Sequence, residues 1–342
     1  MKVIISGGAG FIGSHTVVEL INAGYDAVIF DDFSNSSANT IDNIEQIVER
    51  KVDFEEVDLS NMTACDKAFA KHKDAEAVIH FAAYKSVPES ISKPNEYYRN
   101  NIGSLINVTS CMERYEMPYF VFSSSCTVYG DTKELPVKES TPMLPPNSPY
   151  GHTKQLGELL LENLSNTEAS IIKSVALRYF NPIGAHSSGL IGELPNGVPG
   201  NLMPFITQTA AGLRDQLSVF GDNYDTEDGT AIRDYIHVVD LATAHVKALD
   251  YMRSDHSVDS YEVFNVGTGN GSSVMEVIQS FERTSGEKLN YKIAPRREGD
   301  IAAIYADSTH TMNTIHWKPK YQIDDMTRSA WEWEKKLRNL KS

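Results

Sequence analysis

Cysteine is scarce in this chain: its 342 residues include three, Cys65, Cys111 and Cys126. An odd, sparse set excludes a disulfide framework and reads as reduced thiols. Positive charge is also in deficit, with 31 Lys and Arg against 46 Asp and Glu and a net charge of -15. That excludes nucleic acid, whose phosphate backbone needs a basic face, and it argues against anionic membrane surfaces. No apolar run approaches the length of a spanning helix, and the first residues already read as a strand, with no charged, apolar, cleavable leader. The expected compartment is the cytoplasm. Nor do the ten histidines show His-x-x-x-His or paired-Cys spacing. No metal is expected, and His80, His237 and His245 are expected to be core or surface residues.

What is present is a regular alternation of strand-like and helical stretches in a chain that is 41% hydrophobic, enough for a sizeable core and two lobes. The strand-like runs are Val3-Ile4-Ile5, Ala27-Val28-Ile29-Phe30, Phe54-Glu55-Glu56-Val57, Ala77-Val78-Ile79-His80-Phe81, Tyr119-Phe120-Val121-Phe122 and Ser174 to Tyr179. The alternation predicts an α/β fold of the Rossmann type, a doubly wound parallel sheet covered on both faces. Past residue 181 the alternation weakens and Gly, Pro and Asn become frequent. Residues 1–181 are therefore expected to form a nucleotide-binding domain and 182–342 a smaller mixed α/β substrate lobe. Glu262-Val263-Phe264-Asn265-Val266 reads as a strand able to return to the first domain. In such sheets ligands lie at the carboxyl ends of the strands, which places Asp58, Ala82, Lys85, Ser123 and Ser125 around one crevice.

The first strand runs into Gly7-Gly8-Ala9-Gly10-Phe11-Ile12-Gly13 and then into helical apolar spacing, which Gly24 ends. In a strand-turn-helix unit Gly7 permits the turn, Gly10 lets backbone approach a pyrophosphate, and Gly13 lets helix and strand pack closely. The second strand ends on Asp31, where a dinucleotide fold carries its ribose-binding acid. A carboxylate there accepts from a 2′-hydroxyl and repels a 2′-phosphate, so the expected cofactor is NAD, a preference that Asp32 strengthens.

Tyr150 and Lys154 stand four apart, preceded by Ser148-Pro149, an N-cap and first-turn pair. They therefore share a helix face, one turn apart. An ammonium and a cationic nicotinamide beside a phenol both favour phenolate, the tuning that general-base catalysis requires. Ser125, at the end of the preceding strand, is placed to hydrogen-bond the same substrate oxygen.

On Gly7 to His15, His80 to Lys85, Ser123 to Gly130, Ser148 to Lys154, Arg178 to Pro182, Arg233 to Val238 and Pro295 to Asp300, the chain resembles the extended short-chain dehydrogenase/reductase family over nearly its whole length, and within it the branch acting on nucleotide sugars at C4′. The resemblance implies that Gly7, Gly10, Phe11, Ile12, Gly13, Asp31, Asp32, Asn35, Ser36, Asp58, Leu59, Lys85 and Asn100 surround NAD. The motif residues Phe81, Ala82, Ala83, Ser123, Tyr150, Lys154, Tyr179 and Phe180 complete that set. It implies that Lys85, Ser125, Tyr150, Asn181, Asn201, Leu202, Phe220, Arg233, Arg297 and Asp300 hold a UDP-sugar, and that Ser125, Tyr150 and Lys154 carry the reaction. The implied activity interconverts UDP-galactose and UDP-glucose by transient oxidation at C4′, as in galactose metabolism. Tyr150 takes the 4′-hydroxyl proton, hydride moves to NAD and back, and the keto-sugar turns over between the two steps.

Arg233 and Arg297 are fork donors suited to a diphosphate, although neighbouring Asp234 and Glu298 offer them simple surface pairing instead. Where dehydratases of the family carry an Asp-Glu pair before Val-Tyr-Gly, this chain has Cys126-Thr127, which argues against removal of water. Four residues past Asp300, where members confined to unacetylated sugars often carry Tyr, stands Ile304, with Tyr305 displaced by one. An epimerase acting on UDP-N-acetylglucosamine, or on both kinds of sugar, is therefore the alternative. A non-catalytic NAD-binding sensor is a distant third. The resemblance also implies a homodimer, joined through the helix from Asn100-Asn101 to Cys111-Met112 and the helix after Tyr150.

Overall fold

The computed structural model describes residues 1–254, 257, 259–297 and 299–340. Six strands of the first half, β1 (Lys2–Ser6), β2 (Asp26–Asp31), β3 (Asp53–Glu56), β4 (Ala75–His80), β5 (Tyr119–Ser123) and β6 (Lys173–Tyr179), are joined by a strand from the second half, Tyr261–Val266. With the late strand named β10, the order is β10-β6-β5-β4-β1-β2-β3, and all pairs are parallel. Val3, Ile4 and Ile5 have no solvent exposure, because a central parallel strand is covered on both faces.

Each face has its own apolar layer. Ile5, Ile29, Ile79 and Val121 pack with Val17, Val18 and Leu20 of the helix Phe11–Asn22 and with Leu241 and Leu249 of the helix Val238–Met252. On the other face Ile4, Phe30, Val78 and Phe120 meet Phe69 of the helix Met62–Lys71, Leu105 and Met112 of Gly103–Arg114, and Leu161 of Pro149–Ser165. The helix Val238–Met252 thus lies in the first sheet's layers although it comes from the second half. The apolar stripe Leu241, Ala244, Ala248 and Leu249 recurs at helical spacing and packs into this layer.

The remaining strands build the second lobe. They are β7 (Asn181–Ile183), β8 (Leu217–Phe220), β9 (Ile232–His237), β11 (Gly271–Ser273), β12 (Tyr291–Ala294) and β13 (Ala303–Ile304). β9 pairs parallel with β7 and β13 and antiparallel with β11, while β8 pairs parallel with β12, so this lobe is mixed. Its core, with Ile183, Ile206, Val219, Phe281, Met326 and Trp331, is separate from those of the large sheet. β6 passes through Phe180 directly into β7, so the lobes join at the carboxyl end of the sheet, whose topological switch lies between β1 and β4. Among the described residues no helix is long and apolar enough to cross a membrane. All three cysteines are free and buried, with the Sγ atoms of Cys65 and Cys111 3.8 Å apart.

Four histidines are core residues. Burial lowers His15 and His80 from 6.5 to about 3, and His237 and His245 to about 4. Because the unfolded chain binds these protons near pH 6.5 and the folded chain does not, their stability contribution is complete above 6.5 and is lost as pH falls towards 4. Each contributes about 1.4 kcal/mol per pH unit inside that window. The urea midpoint is therefore expected to fall steeply between pH 6.5 and 4.5; a flat profile there contradicts neutral burial.

Candidate active site

The glycine turn is dictated by contact distances. Gly7 has φ +71°, and a Cβ on it would lie 2.8 Å from the Ala82 nitrogen; a Cβ on Gly13 would lie 2.2 Å from the Gly7 oxygen. At Gly10 the nearest atom to such a Cβ is the Gly7 oxygen at 3.2 Å, so protein packing alone demands less there. The helix Phe11–Asn22 begins with no side-chain cap and no acid in its first turn, which leaves its amide end free for an anion. Asp31 ends β2 and braces this loop: one carboxylate oxygen accepts from the Ala9 amide at 2.9 Å, the other from the Phe33 amide at 2.9 Å and the Ser36 hydroxyl at 2.7 Å. Burial raises its pKa, and these three donors oppose the rise. They occupy most of its acceptor capacity and leave about one site for a ribose hydroxyl. Uncapped helix, open Gly10 and buried acid together match the donors and acceptor of a dinucleotide.

The helix Pro149–Ser165 starts as expected, the Ser148 hydroxyl accepting from the Gly151 amide at 3.1 Å. Tyr150 and Lys154 lie on its inner face. Lys154 is buried and donates to the Ser123 carbonyl at 2.6 Å, with Nζ 5.8 Å from the Tyr150 ring centre. The Ser125 hydroxyl accepts from the Thr127 amide and hydroxyl at 3.2 and 3.0 Å. Burial pushes Tyr150 up to about 12; the hydrogen bond with Ser125 pulls it back. Burial also lowers Lys154 to about 8, against the pull of Glu158. Desolvation thus raises the phenol where a downward shift from Lys154 was expected, and the ammonium is turned to the end of β5.

Behind this pair lies a buried network that the motifs did not assign. Glu158, one turn after Lys154, receives Arg178 Nη2 at 2.6 Å and Nε at 2.9 Å, and it accepts from the Ser124 hydroxyl. Arg178 also donates to the Tyr129 hydroxyl at 3.1 Å, which donates to Asn265 at 2.6 Å. A charge in the middle of an apolar strand must be paired, and that was the readable sign of Arg178. A second unassigned residue is Asn101, whose amide clamps the Tyr84 backbone at 2.8 and 3.0 Å and donates to Thr153 at 3.1 Å. Its predicted neighbour Asn100 donates to it at 3.1 Å.

In the second lobe, Arg297 stacks 4.8 Å over the Phe220 ring and pairs with Asp300 at 2.9 Å. Arg233 sits in register with Ile304 and donates to the Ile232 carbonyl at 2.8 Å. Pairing with Asp234 is ruled out, since that carboxylate accepts instead from Thr268, Gly269 and Ala306 at 2.6 to 3.1 Å. Glu298 lies outside the described residues. Burial raises the Tyr235 hydroxyl, and the charges of Arg233 and Arg297 both pull it back. Cys126, next to Ser125 in sequence, packs in one cluster with Ile304, the strand partner of Arg233, so the Ser125 turn lies against the strand pair that carries Arg233. Ile304 is buried in a cluster with Cys126, Val128 and Phe180, whereas the Tyr305 ring faces Gly271. Asn181 opens β7, paired with Tyr235, and Leu202 opens the helix Leu202–Ala210 directly after Asn201. Lys85 Nζ and Asn201 Nδ2 reach the same Glu193 oxygen at 3.4 and 2.6 Å.

A family model described as GDP-mannose 4,6 dehydratase matches residues 4–330. The chain is 46% identical over 335 residues to UDP-glucose 4-epimerase of Bacillus subtilis, covering 98% of this chain and 97% of that one. Its fold matches UDP-glucose-4-epimerase from Stenotrophomonas maltophila with bound NAD and formylated UDP-arabinopyranose, at TM-score 0.95 and 43% identity over 99% of both chains. It also matches UDP-glucose 4-epimerase from Bifidobacterium longum in complex with NAD⁺ and UDP, at TM-score 0.94 and 43% identity over 99% of this chain and 100% of that one.

Proposed function

This chain belongs to the GDP-mannose 4,6 dehydratase family of extended short-chain dehydrogenase/reductases, and from that premise we propose that it interconverts UDP-galactose and UDP-glucose with tightly held NAD. The observation that carries the reading is the Tyr150-Lys154 pair on one helix face, with Ser125 running into a Cys126 that packs against Ile304, the strand partner of Arg233. The family's name describes a dehydratase, but Cys126-Thr127 offers neither the acid nor the base for loss of water.

Gly7, Gly10, Gly13, Asp31 and the amides opening the helix Phe11–Asn22 are the residues to hold the dinucleotide, and Lys85, Ser123 and Tyr179 line its path along the strand ends. Bound there, NAD supplies a reversible hydride acceptor for C4′ and a positive ring that favours phenolate nearby. Tyr150 then accepts the 4′-hydroxyl proton and later returns it. Ser125 donates to the oxygen as it becomes a carbonyl. Lys154, fixed on the Ser123 carbonyl, keeps a cation within 5.8 Å of the phenol ring. Arg233 and Arg297 grip the diphosphate. The sugar end meets mostly apolar surface at Cys126 and Ile304, so the hexose is free to turn between the two hydride steps while the nucleotide stays in place.

Ile304 also supports the second reading, acceptance of N-acetylated sugars, because the side chain beside Cys126 is aliphatic and Tyr305 points to the other face. Purified protein denatured without added cofactor is expected to release NAD, and a coupled assay is expected to turn over UDP-galactose. The rate on UDP-N-acetylgalactosamine measures the second reading, and no turnover of either sugar refutes both. A homodimer is proposed through the helices Gly103–Arg114 and Pro149–Ser165, which expose Ile106 and Leu159; a monomer mass in light scattering at micromolar concentration rules it out. The buried free thiols support a reducing compartment, the cytoplasm.

A further inference from the structure

Glu193 was not among the residues that the motifs marked, yet it ties the loop after β4 to the second lobe. Its Oε1 accepts from Asn201 Nδ2 at 2.6 Å and from Lys85 Nζ at 3.4 Å. Lys85 comes from the loop after β4, on the cofactor side, and Asn201 from the entry to the helix Leu202–Ala210, in the second lobe. The side chain is 9% exposed, and its Oε2 is buried with no partner. A buried carboxylate that binds donors through a single oxygen carries a large unmet hydrogen-bonding capacity.

The backbone beneath it is pinned. A Cβ on Gly192 would lie 2.5 Å from the Trp333 ring, so only glycine lets the segment settle on that indole. Trp333 Nε1 donates to the Glu193 carbonyl at 3.4 Å, and Lys336 Nζ donates to the Ser188 carbonyl at 2.9 Å. An isolated bridge between Ala185 and Gly192 closes the same segment. The C-terminal helix Ile323–Arg338 thereby sets where this carboxylate stands.

Asn201 shows what the carboxylate does. It occupies the N-cap of a nine-residue helix, a position where asparagine ordinarily turns its oxygen to the first-turn amides, yet it makes no capping hydrogen bond. Its side chain is directed to Glu193 instead, which leaves both the amide oxygen and the helix amides uncommitted. Lys85, half exposed on a four-carbon stem, is confined by the same oxygen.

The geometry points to Glu193 as a positioning residue that sets Lys85 and Asn201 for the nucleotide-sugar, an inference that rests on the UDP-sugar reading above. Preordering of this kind strengthens ground-state and transition-state binding alike, so its loss appears in KM and not in kcat.

The test uses the full-length, NAD-loaded protein with Glu193→Ala and the isosteric Glu193→Gln. UDP is titrated by calorimetry and UDP-galactose turnover is measured. The UDP Kd and the KM are expected to rise together, about tenfold in the alanine variant and about threefold in the glutamine variant, which keeps an acceptor for Asn201 but loses the charge facing Lys85. The kcat, measured with NAD in excess, is expected to stay within about twofold. A UDP Kd within about twofold of wild type for Glu193→Ala overturns the proposal, as does a fall in kcat at constant KM in folded protein, the signature of an interaction made only in the transition state. Should the alanine variant not fold, the glutamine variant decides, and an unchanged UDP Kd there overturns it. Wild-type protein that binds UDP without turning over UDP-galactose removes the proposed reaction but leaves Glu193 judged on UDP affinity. Wild-type protein that binds no UDP overturns both.

Discussion

Tyr150→Phe is expected to lower kcat by about a thousandfold, while the protein stays folded and keeps its NAD. The phenol is the one group on the inner face of its helix able to take and return the 4′-hydroxyl proton. Lys154 cannot substitute, since its ammonium is held on the Ser123 carbonyl at 2.6 Å. Loss of the hydroxyl removes the bond with Ser125, at a stability cost of about 1 kcal/mol, and leaves the ring and the Ser148 cap in place. Burial holds this phenol near 12, so at neutral pH proton transfer depends on a positive charge supplied within the assembled site. The expected signature is a lost rate at unchanged NAD content, with a melting temperature lowered by only about 2 °C. Turnover equal to wild type would remove Tyr150 as the base.

Gly13→Ala and Gly10→Ala are expected to fail for different reasons. At Gly13 an added methyl lies 2.2 Å from the Gly7 oxygen and 2.8 Å from the Gly8 Cα, both backbone, so the turn must open. That variant is expected to lose about 3 kcal/mol of stability together with its NAD. Gly10 has φ -74°, which alanine adopts freely, and its methyl meets only the Gly7 oxygen, at 3.2 Å. Gly10→Ala should therefore fold with a loss of about 1 kcal/mol or less and still bind NAD at least about tenfold more weakly, because the methyl stands where the pyrophosphate approaches. Melting curves and released NAD separate the two; a Gly10→Ala protein with a full complement of NAD would show that the loop does not hold a pyrophosphate.

Much of this architecture was legible in the residues. The runs Val3 to Ile5 and Tyr119 to Phe122 carry no alternation, the mark of strands covered on both faces, and the glycine turn and the Ser148-Pro149 helix start lie where local chemistry puts them. What local pattern does not show is partnership at a distance. Asp31 was legible as a ribose acid but not as the brace of the glycine loop, because its donors at Ala9 and Ser36 come together only on folding. Lys154 was legible as a cation beside Tyr150, but the carbonyl that turns it aside belongs to another strand. Glu193 had no periodic signal, since it lies in an irregular segment positioned by Trp333, 140 residues later. The register that puts Ile304 at Cys126 and Tyr305 on the far face is likewise a property of the pairing with β9.

The helix Val238–Met252 and the strand β10, both encoded in the second half, complete the first half's layers. A polypeptide cut after residue 181 would consequently not be a free-standing nucleotide module. β6, still paired with β5, would become an exposed edge strand once β10 is gone, and the side chains of Ile79, Val121 and Val175 would lose part of their cover. Such a fragment would aggregate rather than bind, and proteolysis or gene truncation should find no viable break at the seam between the lobes. The two halves are interlaced and must persist, or be lost, as one inherited unit.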